Sequence, residues 1–394
     1  EFVFPYLAHA PMEPLNCTVQ ITGQGADAKA QLWVGTQMPG TDAGAAARVL
    51  GIKPENVTMQ VQMAGGGFGR GAILSSDYVV EACSVAKAAQ AAGLSAPVRT
   101  LWSREDDVRG GYYRPMHVHR AEIGFDAQGN VLAWDHVIVG QSIMAGTFFE
   151  PMMVKNGVDD TAVEGMGEPY KVPMRLSAHH PKHNVPVLWW RSVGSTHTGY
   201  VMETLIDDIA RATKQDPVAY RMKLMDDKAV RHRAALQLAV DKSGYGKKTL
   251  EAGRAWGVAV HESFSTVVAY VVEASVVDGT PKLHQVTAGV HCNLAVNPKS
   301  VEAQMQGGAL MGLSMCLPGA AITLKDGVVE QGNFNDFVVP RITDMPAIAV
   351  HIVPSADAPT GVGEPGVPPL APAFANAIAS LTGKPLRELP FKLG

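Results

Sequence analysis

Residues 361–372 read GVGEPGVPPLAP. Four prolines follow Glu364 within eight residues, at 365, 368, 369 and 372, and glycines stand at 363 and 366. Proline fixes φ and removes a backbone donor, so this stretch fits neither a helix interior nor a central strand. It has to be a stiff loop that presents one carboxylate, and the rest of the chain has to be arranged around it. Burial against Val362, Val367 and Leu370 would raise the pKa of Glu364 and make it a usable base near neutral pH. A capping or salt-bridging glutamate is the plainer reading of the same residue.

The chain has 394 residues, enough for two or three domains, with 46% hydrophobic and 18% charged residues. Net charge is −4 with no basic block, which argues against nucleic acid as a partner. No apolar run approaches the roughly 18 residues of a membrane-spanning helix. Cys17, Cys83, Cys292 and Cys316 form no CxxC pair, so a zinc ribbon or an iron–sulfur cluster on this chain is not expected. They read as buried thiols, with one or two disulfides left open. The opening, EFVFPYLAHAPMEP, starts inside a strand-like stretch with no initiator Met or signal peptide. It reads as a piece of a longer precursor or product.

Strand and helix patterns alternate over residues 30–102: strands at 30–36, 57–63 and 98–102, helices at 42–50 and 77–92. Residues 117–143 read as two strands joined at AQGN (127–130). Residues 144–190 look irregular, a long site-lining connection. Helices follow at 197–213, 216–227 and 229–243, then long strands from 255 to 292 and a Gly- and Met-rich helix at 298–315. A hairpin turning at 325–327, a strand in IAVHIV and a last helix from Pro372, ended by Gly383, complete the pattern. The expected fold class is α/β, mixed with α+β character. A first α/β domain would cover 1–143, the irregular connection 144–190 and a second α/β domain 191–394, the two flanking a shared cleft.

Three further stretches carry chemical signals. AGGGFGRG (64–71) follows a strand and precedes a helix, and its side-chain-free backbone suits close approach to an anion or flat ring. It lacks both the GxGxxG fingerprint and the Lys-Ser/Thr of a phosphate loop. LWWRSVGSTH (188–197) leads into a helix with Arg, Ser and Thr, and Trp189 and Trp190 suit an apolar substrate wall. His197 by itself reads as a hydrogen-bonded structural histidine. In the 301–315 helix, Gly307, Gly308 and Gly312 each cost about 1 kcal/mol against Ala, which suggests close approach of another backbone or of a cofactor. No GxSxG elbow, HExxH or His/Cys/Asp cluster with metal-ligand spacing occurs. A lone acid among glycine-rich walls calls for a large cofactor that performs the difficult chemistry.

Taken together, AGGGFGRG, LWWRSVGSTH, QMQGGALMGLS and the 361–390 stretch resemble the molybdopterin-binding large subunit of the xanthine oxidase/aldehyde oxidase family. The similarity is to the branch of isoquinoline 1-oxidoreductase beta subunits and related aldehyde dehydrogenases, over essentially the whole chain. The resemblance implies that Glu364 takes the proton from a molybdenum-bound hydroxide, which attacks an electron-poor carbon while hydride passes to a sulfido group. It implies that Gly66, Gly67, Phe68, Gly69, Arg70, Arg191, Ser192, Val193, Gly194, Met305, Gln306, Gly307, Gly308 and Gly363 bind the molybdenum cofactor (molybdopterin, as its cytosine dinucleotide), the pterin dithiolene holding the metal. It further implies an aldehyde or N-heteroaromatic substrate and a second chain or fragment completing the large subunit. A small subunit carrying [2Fe–2S] clusters, a c-type cytochrome as acceptor and a periplasmic location are implied in the same way. Gly71, Gln306 and Asn293 depart from the branch pattern. A scaffold subunit that has lost its cofactor is the alternative these departures favour, and a phosphate-binding use of AGGGFGRG is another.

Overall fold

The computed structural model describes residues 1–393. Its most buried element shows why the chain folds as it does. The strand Thr266–Val277 reads TVVAYVVEASVV and is buried at its first ten positions. A continuous apolar run of this kind belongs to a strand covered on both faces. It lies within a four-stranded sheet, in the order Arg254–Ser263, Thr266–Val277, Thr280–His291, Ala347–Ile352, with the last pair parallel.

Two glycines let helices press onto this sheet. A Cβ on Gly257 would stand 1.9 Å from the Ala373 carbonyl of helix Leu370–Thr382. A Cβ on Gly289 would stand 2.1 Å from the Ala235 carbonyl of helix Val230–Ser243. Gly257 pairs with Val272 and Gly289 with Ala269, an odd separation along the shared strand, so the helices cover opposite faces.

A second sheet, in the order Val57–Val61, Lys29–Val34, Asn16–Thr22, Val98–Leu101, is covered by helices Pro39–Leu50 and Asp77–Ala91. Only the first two of its strands are parallel, so the domain is mixed rather than doubly wound. The alternation of Cys17, Val19 and Ile21 in Asn16–Thr22 is a strand signal that the sequence reading passed over. A third sheet joins Phe2–Phe4, His117–Phe125, Val131–Gly140 and Met174–His179. Its last strand corrects the irregular reading of 144–190: Met174, Leu176 and Ala178 alternate with polar residues and pair parallel with Val131–Gly140.

The boundaries of the other elements fall within a few residues of expectation. The Asp216 carboxylate caps helix Pro217–Leu224 by accepting from Val218 N and Ala219 N at 3.0 and 2.8 Å. Phe2, Phe4 and Leu7 pack into one core with Tyr200, Val268 and Phe374, so the start of the chain is bound into its C-terminal half. All four cysteines are buried free thiols, as the sequence suggested.

Candidate functional site

The turn at 191–195 draws the separate sequence motifs together. Arg191 N donates to the Phe68 carbonyl at 2.9 Å, which joins the turn to the glycine-rich loop. The Arg191 guanidinium donates through Nε and Nη2 to the Gly363 carbonyl, at 2.8 and 2.6 Å, and through Nη2 to Gln304 Oε1 at 2.8 Å. Ser192 then grips the acid itself: its N–H donates to Glu364 Oε1 at 3.1 Å and its hydroxyl to the Glu364 carbonyl at 2.6 Å. To make these bonds the backbone runs left-handed at Ser192 (φ 73°) and Val193 (φ 47°), a costly conformation for a β-branched residue.

The other side of the Glu364 loop rests on helix Pro298–Ser314. A Cβ on Gly308 would stand 2.8 Å from the Gly366 carbonyl carbon, and one on Gly312 2.7 Å from the Val367 oxygen. Tyr270 Oη donates to the Gly366 carbonyl at 2.8 Å, and Met305 is fully buried beside it. These glycines therefore admit another backbone, one of the two options the sequence left open. Gly307 differs: it is exposed, and only the Arg191 guanidinium comes within 4 Å of its Cβ position, at 3.8 Å. Gly363 has nothing within 4 Å, and Gln306 is half-buried.

The glycine-rich loop is held by two side chains the sequence reading did not single out. Gln37 Oε1 accepts from Gly69 N and Gly71 N, each at 3.2 Å. Glu13 Oε2 accepts from Gly65 N at 2.6 Å. A Cβ on Gly67 would stand 2.7 Å from Gln37 Oε1, and one on Gly69 2.5 Å from the Trp189 carbonyl. Gly66 and Gly69 have φ of 108° and 114°. Gly194 is likewise forced, since its Cβ would meet the Thr161 carbonyl at 1.7 Å. The Arg70 side chain is turned into the fold. It is 2% exposed, pairs with both oxygens of Asp77 at 3.0 and 2.5 Å, and lies over the rings of Tyr112 and Trp102.

Burial raises the Glu364 carboxyl above the usual range, against the opposing pull of the Ser192 N–H and the Arg191 charge. A second acid was missed. Burial pushes Glu164 up to about 7, and the negative charge of Glu364 adds to the shift. Its Oε1 accepts from Ser195 N at 2.9 Å. The available signal was an acid next to Gly165 and Gly167, both left-handed, inside a segment too long to be a plain loop.

Beside this assembly lies an apolar cleft that leaves about 180 Å³ for the centres of water-sized particles, walled by Phe68, Trp190, Leu310, Met311 and Phe337, with Gly307 on its floor. Trp190 is 3% exposed and donates to the Ala8 carbonyl at 3.2 Å, whereas Trp189 is half-exposed, its ring edge-on to Phe149 at 6.3 Å. His9 is the one titratable side chain on the cleft wall, and burial lowers it to about 3, so the wall is uncharged at neutral pH. The residues present fit a large organic cofactor. Open backbone stands at Gly307 and Gly363, a half-exposed glycine loop carries Phe68, and one acid with a raised pKa is fixed at the junction.

The turn at 191–195 thus joins motifs from both halves of the chain at one place. Two family models, each described as a molybdopterin cofactor-binding domain, match residues 1–225 and 202–346. The chain is 32% identical to the isoquinoline 1-oxidoreductase subunit beta of Brevundimonas diminuta, over 97% of this chain and 48% of that protein. It is 28% identical to the membrane-bound aldehyde dehydrogenase (pyrroloquinoline-quinone) of Gluconacetobacter polyoxogenes, over 100% of this chain and 53% of that one. Quinoline 2-oxidoreductase from Pseudomonas putida 86 has the same fold, with a TM-score of 0.81 at 15% identity over 99% of this chain and 74% of that one. The chain belongs to the molybdopterin-binding subunits of the xanthine oxidase family. It spans about half the length of each of these two curated relatives.

Proposed function

We propose that this chain supplies the base-bearing half of a molybdenum hydroxylase large subunit, oxidising an aldehyde to a carboxylic acid or hydroxylating an N-heteroaromatic ring. The observation that carries this reading is Glu364: a half-buried carboxyl with a raised pKa, aimed by Ser192 and backed by a glycine-faced helix. When bound, the molybdenum cofactor supplies the oxygen-transfer and two-electron chemistry. Glu364 holds and accepts the proton, Ser192 fixes its direction, and Arg191 locks the loop through Gly363. The backbone at Gly66, Gly67, Gly307 and Gly363 would hold the cofactor, with Phe68 as a wall. The uncharged cleft favours neutral, apolar substrates.

Relatives named for isoquinoline and for aldehyde oxidation support both substrate classes, and the uncharged wall supports a neutral substrate of either kind; we put aldehydes first because they need no anchoring groups. The remaining half of the large subunit, a small [2Fe–2S] subunit and a c-type cytochrome acceptor in the periplasm would complete the system. The test is Glu364→Gln in the purified complex, with metal analysis. Retained molybdenum with turnover reduced about 100-fold or more is expected of a general base. Full activity, or loss of the molybdenum, sinks the assignment.

A further inference from the structure

Next to the 191–195 turn lies a second, much smaller cavity. Its walls include Arg114, His117, Gln141, Thr161, Val193 and His197, and it leaves about 20 Å³ for the centre of a water-sized particle. By that measure about 10–15 Å³ accommodates one water. The space is therefore sized for a single small occupant and not for a substrate.

Arg114 is the unusual member. It is 1% exposed, and burial lowers it to about 9, so it stays charged at neutral pH. Its Nη2 donates to the Pro5 carbonyl at 2.8 Å, and its Nη1 reaches Thr196 Oγ1 and Met315 Sδ only at 3.5 Å. Its Nε finds no protein partner. Among the described residues, no carboxylate pairs with it. The nearby Asp159 carboxylate is fully engaged by Thr161, Ser142 Oγ and the backbone N–H groups of Ile143 and Met144. A buried cation with only neutral partners is expensive to maintain.

A chain of histidines supplies a second donor, and its direction can be derived. The Trp134 indole N–H can only donate, and it meets His136 Nδ1 at 3.1 Å. Burial keeps these imidazoles neutral, so in each ring one nitrogen accepts and the other donates. His136 Nε2–H therefore donates to His119 Nδ1 at 2.9 Å, and His119 Nε2–H to His197 Nδ1 at 2.9 Å. The chain ends on His197 Nε2–H, which is buried and has no protein partner. His117 stacks on His197 at 3.8 Å, and its Cδ2–Nε2 edge is turned onto Gly140. Arg114 and His197, both residues of the cavity wall, thus each carry a buried donor without a protein partner, the former on a cation with no carboxylate beside it; His117 Nε2, an acceptor because its Nδ1–H donates to the Pro115 carbonyl at 3.1 Å, is unpartnered too.

We propose that this cavity binds one small monovalent inorganic anion of halide size, held by Arg114 Nε–H and His197 Nε2–H. The anion would neutralise Arg114 and brace the Val193–Gly194 wall, and through it the turn that aims Glu364. Bromide tests this. Crystals of the holo-complex soaked in sodium bromide are expected to show an anomalous peak within hydrogen-bonding reach of both nitrogens. The thermal midpoint of the holo-complex is expected to rise saturably in bromide against gluconate of equal ionic strength, and His197→Leu to abolish the rise. A site without an anomalous peak, a peak with no saturable rise (an adventitious ion only), or a rise that survives His197→Leu overturns the proposal. Should His197→Leu fail to fold, the wild-type peak and titration decide the matter together.

Discussion

Glu364 and Glu164 hold the same turn three residues apart: Glu364 accepts from Ser192 N at 3.1 Å and Glu164 from Ser195 N at 2.9 Å. Both carboxyls are raised by burial, Glu164 to about 7. A carboxyl raised in the folded state favours folding while protonated, so its contribution declines as pH climbs from near 4.5 through about 7. Glu164→Gln, whose amide oxygen still accepts from Ser195, should flatten the stability profile in that window and gain on the wild type at pH 8. Denaturant melts at several pH values check this, and parallel profiles would count against it.

Ser192 combines a left-handed backbone with the hydroxyl that holds the Glu364 carbonyl. Ser192→Ala removes the bond and keeps the strain. Ser192→Gly removes both. The alanine variant should be the less stable of the two by about 1 kcal/mol, and turnover should fall in both. Paired thermal melts and assays separate backbone strain from aiming.

Gly307 and Gly308 are neighbours with opposite surroundings. Gly307→Ala meets only the Arg191 guanidinium, at an ordinary contact distance of 3.8 Å, and should stabilise the helix by about 1 kcal/mol. Gly308→Ala drives a methyl into the backbone of Gly366 and should destabilise by about 1–3 kcal/mol. It should also lower turnover through displacement of Glu364. Equal effects of the two substitutions would refute the account of this helix.

Arg70→Lys tests a residue whose motif suggests cofactor contact but whose guanidinium pairs with Asp77 under two aromatic rings. Losing the two-pronged geometry should cost on the order of 2 kcal/mol in stability. An unchanged melting temperature with reduced cofactor content would restore the direct-contact reading.

Much of this was legible in the sequence because it was written in backbone chemistry. The proline-rich loop, the glycine-rich loop and the helix glycines announce conformations that few residues tolerate, and the structure brings all three to one turn. The α/β pattern with mixed character was legible from periodicity. What escaped were features that depend on partners far apart in the chain. Gln37 and Glu13 are ordinary residues until Gly69 and Gly65 come within reach of them. Glu164 has no motif of its own. His119, His136 and His197 lie on three different elements, and no spacing connects them. The strand Met174–His179 was hidden by the turns and prolines around it, although its alternation was present.

The helix Pro298–Ser314 serves two masters with two stripes. Met305, Gly308 and Gly312 face the loop that carries Glu364, whereas Gly307, Leu310, Met311 and Ser314 face the cleft. If the cleft admits the substrate as proposed, what a molecule must look like to enter is set on one side of a rod whose other side holds the Glu364 loop. A lineage could exchange Leu310 or Met311 and move to a new compound while the proton acceptor stayed where it was. Versatility of diet and constancy of chemistry would then be inherited on a single helix.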